Sequence, residues 1–573
     1  MSEPAGYTGA QLILDILADE GVDTVFGYPG GAIMPLYDKL YGHSVRHILT
    51  RHEQAASFAA GGYARATGRV GVCFATSGPG ATNLITGLLD AQMDSVPVLA
   101  ITGQVRTALM GTDAFQEADV TSIAGPATKR AICIRDVADI EQTLRAAFRL
   151  ARGPRPGAVL VDVPQDVLKA PCAPFDAAKA SRPTAAHSMR ADAAALDETI
   201  ELILRAKRPI AIVGGGARIA GATHLFREFC AMLDIPHTAT INGLGCAAPG
   251  DPRFLGMVGM HGWKAANLAV NESDLILGLG MRFDDRVTGK PDRFARGATI
   301  VHADVDETEF GKVIAPAVRL RGDLRYTLAQ LVQRLAEMPS RPSFAGWADH
   351  AKSLGPPPPA DRTPDDTLSA TAVLDRFFAA VSDDAIVATD VGQHQMWAAQ
   401  RHRATHPRNF LTSAGLGAMG FGLPAAIGAQ FAFPGRPVTA IVGDGGFQMS
   451  FAELATVARY ELPVKILLID NRRLGMVRQW QELFYERRYS ATDLSDNPDF
   501  VAIARAYGIR GETVEDASSL DGALQRFLAE DGPALLHCAC YPGENVWPLI
   551  PAGTSVEEML DERPADSPDA VPA

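Results

Sequence analysis

The sequence predicts an α/β protein with three parallel-sheet domains, of which the first and the last share a duplicated fold. Two segments rich in proline and small residues divide the chain into thirds. Within each third, short apolar strands alternate with helical patterns, which is typical of parallel sheets with crossover helices. Features of the first third also return in the last third at a nearly constant spacing.

The two linkers set the expected domain boundaries. The first covers residues 170–186, and the second covers 339–366 and contains four consecutive prolines. Such composition favours extended chain with little packing. We expect a tail that frays over its last dozen residues. The expected division is a first domain at 1–180, a central domain at 190–340, a third domain at 365–550 and a tail at 551–573.

Each third contains apolar runs that match buried strands in length. The clearest runs are 70–76, 97–102, 209–214, 274–280, 438–444 and 464–470. The repeat is visible in their surroundings, because Gly68 and Pro97 correspond to Gly435 and Pro463 at spacings of 367 and 366 residues. A Gly-rich turn and a helix lie between these markers in both thirds. We therefore expect a duplicated domain on each side of a different central one.

Composition excludes several classes of protein. The 573 residues are 47% hydrophobic and 21% charged, which is ordinary for a globular chain and not for a disordered one. A net charge of −13 argues against nucleic-acid binding. The apolar stretch 416–433 contains four glycines and a proline, so a packed segment is a better interpretation than a membrane span. Seven scattered cysteines without C-x-x-C, and no signal-peptide pattern, indicate a cytoplasmic protein.

A Gly-Asp-Gly-Gly run at 443–446 carries the strongest chemical signal. Asp444 ends one predicted strand, and Asn471 ends the next, 27 residues later. Ligands collect at the carboxyl ends of parallel strands, and hard oxygen ligands there suit Mg²⁺ shared with a diphosphate. Taken alone, the Gly-Asp-Gly run would favour a turn aspartate and a capping asparagine, but the long spacing with both residues at strand ends makes the signal specific.

The segment 443–471 resembles the thiamin-diphosphate-binding motif. The first third then resembles the pyrimidine-binding domain of that enzyme family, whose single essential glutamate corresponds to Glu53 in RHEQAASFAAGGYARATG. In the family this carboxyl holds the cofactor's aminopyrimidine in the tautomer that deprotonates the thiazolium. An ordinary acid at the start of a helix is the plain alternative for Glu53, although the apolar helix that follows suits partial burial.

Nearly the whole chain is similar to the catalytic subunits of acetolactate synthase, most closely to the bacterial isozyme II type. The motifs that carry this similarity are FGYPGGAIMPLYD, TSGPGATNLITGL, GTDAFQEADV, GMHG, RFDDRVTG, VGQHQMWAAQ and LGMVRQWQELFYERRYS. The resemblance implies a transferase that joins pyruvate to a second pyruvate or to 2-ketobutyrate in branched-chain amino-acid biosynthesis. It also implies thiamin diphosphate, Mg²⁺ and FAD, a homodimer or homotetramer, and a separate small regulatory subunit.

The resemblance assigns site residues one by one. The metal ligands are Asp444, Asn471 and the main-chain oxygen of Arg473. The thiamin diphosphate residues are Glu53, Gly392, Gln393, His394, Gly417, Met419, Gly443, Asp444, Gly445, Gly446, Asn471, Met476 and Val477. The FAD residues, in a Rossmann-like central domain, are Arg155, Gly214, Gly215, Gly216, Gly259, Met260, His261, Gly280, Arg282, Asp284, Arg286, Val287, Asp304, Val305 and Asp323. The substrate residues are Phe115, Gln116, Arg286, Met476 and Trp480.

Several alternatives remain at this stage. A pyruvate oxidase-like enzyme would use FAD as an electron acceptor, a catabolic relative would lack FAD, and a non-catalytic homologue would only bind cofactor or partner. Glyoxylate carboligase is disfavoured because Glu53 is present. Arg286 could merely pair with Asp284 or Asp285, and Trp480 could merely cap a helix. One departure from relatives is Gln165, where many carry lysine, so sensitivity to herbicide-type inhibitors does not transfer directly.

Overall fold

The computed structural model describes residues 6–178, 189–248, 250–361, 363–402 and 406–563. Within them, the strands form three parallel sheets of six strands each, as the alternation of strands and helices predicted. The first sheet contains β1–β6, at Thr24–Gly27, Arg46–Leu49, Gly71–Ala75, Val98–Gln104, Arg130–Cys133 and Ala158–Pro164. The second contains β7–β12, at Pro209–Val213, His237–Ala239, Phe254–Met257, Leu275–Leu279, Thr299–Asp304 and Val318–Arg321. The third contains β13–β18, at Ile386–Thr389, Phe410–Leu411, Val438–Gly443, Lys465–Asp470, Arg510–Val514 and Ala534–Ala539.

The helices cover both faces of these sheets. Helices α1–α8 are Gly9–Asp19, Met34–Leu40, Glu53–Thr67, Pro79–Asn83, Ile85–Met93, Val120–Ala124, Ile140–Arg152 and Gln165–Lys169. Helices α9–α15 are Ala193–Arg205, Gly215–Ile219, Thr223–Leu233, Lys264–Glu272, Asp285–Thr288, Leu324–Ala336 and Ala345–Ser353. Helices α16–α23 are Ala370–Ala380, Gln393–Arg401, Gly422–Ala432, Asp444–Gln448, Leu454–Arg459, Gly475–Phe484, Phe500–Ala506 and Leu520–Ala529. No helix in these ranges is long and apolar enough to cross a membrane.

Strand order supports the duplication inferred from the sequence. The first sheet runs β2-β1-β3-β4-β6-β5 and the third runs β14-β13-β15-β16-β18-β17, which is the same order shifted by twelve strands. The central sheet runs β12-β11-β10-β7-β8-β9, the order of a Rossmann fold. Strands such as β15 and β16 are buried along their whole length, since helices cover both faces of a parallel sheet. The expected fold class is confirmed.

Helices α3 and α18 join the first and third sheets within one chain. Both helices are rich in glycine and alanine, which allows their backbones to approach closely. A Cβ atom on Gly62 would lie 2.2 Å from the carbonyl oxygen of Ala425, and one on Gly428 would lie 1.9 Å from that of Ala59. Apolar side chains of the two domains form a common core around this crossing.

The two linkers and the tail differ in how much structure they carry. In the second linker, helix α15 packs inward, and Trp347 Nε1 donates a hydrogen bond to the carbonyl of Pro209 at 2.9 Å. The expected extended chain is therefore wrong over Ala345–Ser353, because a buried indole anchors a helix there. Residues 179–186 of the first linker lie outside the described residues, as do 564–573 of the tail. The earlier part of the tail is packed, and Leu549 and Leu560 form an antiparallel bridge.

Candidate active site

The proposed metal ligands lie at one edge of the third sheet. Asp444 follows β15 as the first residue of α19, and Asn471 follows β16, its parallel neighbour in the sheet. Both side chains are buried. The side-chain oxygen Oδ1 of Asn471 accepts a hydrogen bond from the main-chain N–H of Arg473 at 3.2 Å, which shapes the turn that carries the third proposed ligand.

Asp470, Asn497 and His537 support this site, and the sequence did not identify them as part of it. Asn497 Nδ2 donates to Asp444 Oδ2 at 2.9 Å and to Asp470 Oδ1 at 3.1 Å. His537 Nε2 lies 2.9 Å from Asp470 Oδ2. Burial and the neighbouring Asp470 carboxyl raise the pKa of Asp444 to about 8. A divalent cation would offset both effects, so the donor set and its charge fit Mg²⁺.

Gln393 and His394 begin helix α17 beside the metal site. Gln393 Oε1 accepts a hydrogen bond from Asn471 Nδ2 at 3.1 Å. His394 is buried, and its Nε2 has no hydrogen-bond partner among the described residues. Burial lowers the pKa of His394 to about 4. A buried imidazole nitrogen without a partner is the kind of group that a bound ligand satisfies, so this position fits a diphosphate.

The Gly-rich turn leaves room for close backbone approach at the same edge. A Cβ atom on Gly443 would lie 2.8 Å from the His394 ring, and one on Gly446 would lie 2.6 Å from Asp390 Oδ1. Gly445 and Gly475 are similarly crowded by Leu474 and by Gln393. Side chains at these glycine positions would fill the space beside the backbone in which a ligand could bind. This explains why glycine recurs in the Gly-Asp-Gly-Gly run.

Asp390 anchors the loop that carries Met419. Its carboxylate accepts hydrogen bonds from the main-chain N–H groups of Val391 at 2.7 Å, Gly420 at 2.9 Å and Gly422 at 3.0 Å. Gly417 and Gly420 have φ values of +68° and +85°, so the loop needs glycine on both sides of Met419. Burial raises the pKa of Asp390 to about 6. No sequence motif singled out Asp390, since its partners lie about 30 residues away.

A cavity of about 2330 Å³ opens beside this loop, with walls from all three thirds of the chain. Most of the proposed FAD residues line it: Arg155, Gly215, Gly216, Met260, His261, Gly280, Arg282, Asp284, Arg286, Val287, Asp304, Val305 and Asp323. From the proposed thiamin diphosphate and substrate residues, its walls include Gly392, Gly417, Met419, Met476, Val477 and Trp480. The volume suits a dinucleotide together with a small substrate.

The remaining two proposed FAD residues, Gly214 and Gly259, are absent from the cavity walls and are closely packed against neighbouring backbone. A Cβ atom on Gly214 would lie 2.2 Å from the carbonyl oxygen of Gly280. Gly259 has φ of +115°, and a Cβ atom there would lie 2.4 Å from the carbonyl oxygen of Arg286. Asp284 Oδ1 is buried without a hydrogen-bond partner among the described residues. An orphaned carboxylate oxygen on a dinucleotide-sized cavity fits a ligand with hydroxyl or N–H donors.

Three of the proposed substrate residues, Arg286, Met476 and Trp480, line the cavity from two domains. Arg286 Nη1 lies 3.3 Å from the Met260 sulfur, and its Nε lies 3.7 Å from Asp285 Oδ2. That ion pair is largely exposed and therefore weak, so it leaves the guanidinium available. Trp480 is half-buried on α21, with its ring centroid 5.6 Å from that of Phe484.

Glu53, Phe115 and Gln116 lie apart from this cavity within one chain. Glu53 begins α3, and its Oε2 accepts a hydrogen bond from Asn83 Nδ2 at 3.0 Å. Phe115 is 88% exposed, and Gln116 has φ of +58° on the same loop. The three residues are absent from the cavity walls that contain Met419 and Trp480.

Three family models match the chain in the order of its sheets. The N-terminal TPP binding domain of thiamine pyrophosphate enzymes matches residues 7–123, the central domain matches 196–331 and the C-terminal TPP binding domain matches 390–538.

Full-length relatives agree with the models. The acetolactate synthase isozyme 2 large subunit of Escherichia coli is 48% identical over 562 residues, which cover 97% of this chain and 99% of the relative. The acetolactate synthase large subunit of Parasynechococcus marenigrum is 44% identical, with 97% and 91% covered. That of Lactococcus lactis is 42% identical, with 96% of each chain covered. The chain therefore belongs to the thiamine pyrophosphate enzymes, within the family of the acetolactate synthase large subunits.

Proposed function

We propose that the chain decarboxylates pyruvate and joins the remaining two-carbon unit to a second pyruvate or to 2-ketobutyrate. The products are CO₂ and either 2-acetolactate or 2-aceto-2-hydroxybutyrate, which lead to valine, leucine and isoleucine. The observation that carries the proposal is the shared cavity, in which the Met419 loop beside the metal edge meets Arg286 and Trp480.

The third domain would hold the cofactor's anionic end. Asp444, Asn471 and the main-chain oxygen of Arg473 would bind Mg²⁺, and Gln393 and His394 would contact the diphosphate. Thiamin diphosphate, when bound, supplies a thiazolium that stores the electron pair released by decarboxylation. Met419 would support the ring from an apolar side, in a loop that Asp390 holds rigid.

Glu53 would act on the cofactor's pyrimidine ring. Its carboxyl group would hydrogen-bond to a ring nitrogen and so favour the tautomer that acts as the base. Asn83 holds one carboxyl oxygen through its 3.0 Å hydrogen bond and leaves the other available.

Arg286 and Trp480 would select the second substrate. A guanidinium can bind the carboxylate of a 2-keto acid through two hydrogen bonds. The indole would leave space that suits the ethyl group of 2-ketobutyrate better than the methyl group of pyruvate. One methylene is worth only ~1–3 kcal/mol, so pyruvate would still react.

The central domain would bind FAD. The overall carboligation has no net oxidation or reduction, so the flavin would serve a structural role. All of the proposed FAD residues except Arg155, Gly214 and Gly259 line the part of the cavity formed by the second sheet and its loops. The proposed domain limits are 1–180, 190–340 and 365–550, with residues after 550 forming a C-terminal segment.

The assembly proposed is a homodimer or homotetramer with a separate small regulatory subunit. The relatives are named large subunits, which supports a smaller partner chain. The separation of Glu53 from the cavity within one chain supports an active site shared between two copies. All seven cysteines are unpaired, which supports a reducing, cytoplasmic location.

One assay tests the reaction. Purified chain receives pyruvate and 2-ketobutyrate with thiamin diphosphate and Mg²⁺, with and without FAD, and both acetohydroxy acids are quantified. Formation of both products supports the proposal. Absence of both, with all cofactors present, would instead indicate a non-catalytic homologue. Flavin reduction by pyruvate at the rate of turnover would indicate the oxidase-like alternative.

A second assay tests the shared site. Glu53→Gln and Asp444→Ala each inactivate a homodimer, but a mixed dimer that contains one of each variant has one site with both residues intact. We expect about half of the wild-type activity per purified mixed dimer. An inactive mixed dimer would show that each chain uses its own Glu53.

A further inference from the structure

The turn that precedes Glu53 is held by a residue from the third domain of the same chain. Glu453 Oε1 accepts hydrogen bonds from the main-chain N–H of Arg51 at 2.7 Å and of His52 at 3.1 Å. Its other oxygen accepts a hydrogen bond from Thr456 Oγ1 at 2.6 Å. Glu453 is 1% exposed, so these bonds form away from water.

Two further contacts reinforce the same junction. Thr456 Oγ1 also lies 3.3 Å from the carbonyl oxygen of Leu49, and the Leu49 N–H donates to the Tyr460 hydroxyl at 2.9 Å. Glu453, Thr456 and Tyr460 are spaced three and four residues apart, so a helical segment presents all three on one face. This face fixes the chain from the end of β2 to the residue before Glu53.

The residues on this face also belong to the metal-binding segment. The connecting segment, residues 444–460, begins at the proposed metal ligand Asp444 and ends at Tyr460. It consists of α19, a 3₁₀ turn at Phe451–Glu453 and α20. One short segment therefore touches the metal site of its own domain and the Glu53 turn of the first domain.

We propose that Glu453 is a positioning residue for Glu53 of its own chain, and that it connects the two active sites of a dimer. This inference rests on the proposed function, in which Glu53 serves the cofactor held by the partner. The main-chain groups of Arg51 and His52 fix where α3 begins, and Glu53 is its first residue. A shift of about 1 Å at such a group can cost about 10²-fold in rate.

Single variants separate positioning from general stability. Glu453→Ala should slow deuterium exchange at the C2 carbon of bound thiamin diphosphate by about tenfold or more. Its affinity for Mg²⁺ and thiamin diphosphate should change by less than about threefold, since the metal ligands are untouched. Glu453→Gln should restore exchange, because its Oε1 accepts both N–H bonds and its amide donates to Thr456. If the alanine variant is insoluble, Glu453→Asp replaces it. The shorter side chain moves the accepting carboxylate oxygen away from the main-chain N–H groups of Arg51 and His52.

Tyr460→Phe is the matched control. It removes one hydrogen bond from the same junction without touching the Arg51–His52 turn. Its exchange rate should equal that of wild type. Wild-type exchange in Glu453→Ala or Glu453→Asp, or equal slowing in Tyr460→Phe, would overturn the positioning role.

Mixed dimers then identify the site on which Glu453 acts. In the cis dimer, one chain carries Glu53→Gln and Glu453→Ala and the other is wild type. In the trans dimer, each chain carries one of the two changes. The inference predicts about half of wild-type activity for the cis dimer and at most about a tenth of that for the trans dimer. If the cis dimer were instead less active than the trans dimer, Glu453 would act on the metal site of its own domain. The mixed dimer of Glu53→Gln and Asp444→Ala tests separately whether the active site is shared between two chains.

Discussion

Trp480 and Arg286 lie on walls of one cavity that belong to different domains. Trp480 projects from α21, whose buried side holds Arg478 and Gln479, so the helix itself is firmly seated. Arg286 is held only by an exposed pair with Asp285. Substrate selection is therefore expected to depend on a fixed indole and an adjustable guanidinium.

We expect Trp480→Leu to lower the preference for 2-ketobutyrate over pyruvate by about tenfold, since a change in a hydrophobic pocket is worth ~1–3 kcal/mol. The overall rate of pyruvate decarboxylation should change less. Competition between both substrates, with products quantified together, gives the ratio. An unchanged ratio would exclude Trp480 from substrate selection.

Asp162, within β6, shows how one buried acid connects a loop to a sheet. Its carboxyl accepts hydrogen bonds from Thr102 at 2.6 Å and Gln104 at 2.9 Å. Gln104 also donates to the carbonyl of Ala118, at the end of the loop that carries Phe115. Burial raises the pKa of Asp162 to about 7 from an ordinary value of 3.8.

This shift predicts a pH-dependent loss of stability. Between pH 3.8 and about 7 the folded chain binds more protons at Asp162 than the unfolded chain. The free energy of unfolding should therefore fall as pH rises through this window. The difference in unfolding midpoint between Asp162→Asn and wild type should accordingly shift in favour of the variant as pH rises from 5 to 8.

Asp166→Asn is the matched control for that experiment. Hydrogen bonds from Thr107 help to hold the pKa of Asp166 below its ordinary value, although partial burial opposes them. The stabilising effect of the Asp166 carboxylate is lost only in acid. The difference in unfolding midpoint between Asp166→Asn and wild type should therefore stay constant from pH 5 to 8. A parallel pH trend in both variants would contradict the assignment to Asp162.

At the scale of whole elements, the crossing of α3 and α18 depends on missing side chains. We expect Gly62→Ala and Gly428→Ala to lower the unfolding midpoint strongly or to prevent soluble expression. The added Cβ atoms would meet main-chain oxygens at 2.2 and 1.9 Å. Overpacking of this kind typically costs ~1–3 kcal/mol and more where backbone must move.

Gly346→Ala, in α15, provides the contrast. Nothing lies within 4 Å of its added Cβ atom. Alanine in an open helix position gains about 0.5–1 kcal/mol, so the midpoint should rise slightly. Equal effects at all three glycines, measured by thermal unfolding, would refute the close-approach explanation.

At the scale of the whole molecule, Asp94 joins all three domains. Arg65 donates to its Oδ2 at 3.0 Å within the first domain. Asn242 of the central domain donates to Oδ1 at 3.0 Å. The main-chain N–H groups of Ala414 and Gly415, in the third domain, each donate at 2.9 Å. Asp94 also lines the cavity, so domain packing and the cofactor sites share this carboxylate.

Asp94→Asn should destabilise the folded chain by ~3–5 kcal/mol, because it leaves the buried Arg65 with one carboxylate fewer. Asn242→Ala removes a single neutral donor and should cost only about 1–2 kcal/mol. Chemical unfolding with and without FAD measures both. Equal losses in the two variants would show that Asp94 is not the shared anchor.

Sequence alone predicted the three-sheet fold and the meeting of the strand ends that precede Asp444 and Asn471. Apolar runs of strand length, alternating with helices, identify parallel sheets because both faces of such sheets are buried. Asp444 and Asn471 were identified because the carboxyl ends of neighbouring parallel strands meet at one edge. The duplication was visible because the same turn chemistry recurs at a constant spacing. These signals are local or periodic, so one sequence is enough to detect them.

The tertiary structure decided which distant residues support those features. Asp390, Asn497 and Glu453 act through partners far along the chain, and Glu453 lies about 400 residues from the turn that it holds. No period or motif encodes such pairings, since any buried acid can find donors in many places. The packing of α15 and the common cavity of three domains are likewise products of chain folding. The sequence by itself determined the sheet architecture and the chemical groups of the candidate site. Tertiary contacts determined how those groups are positioned and oriented.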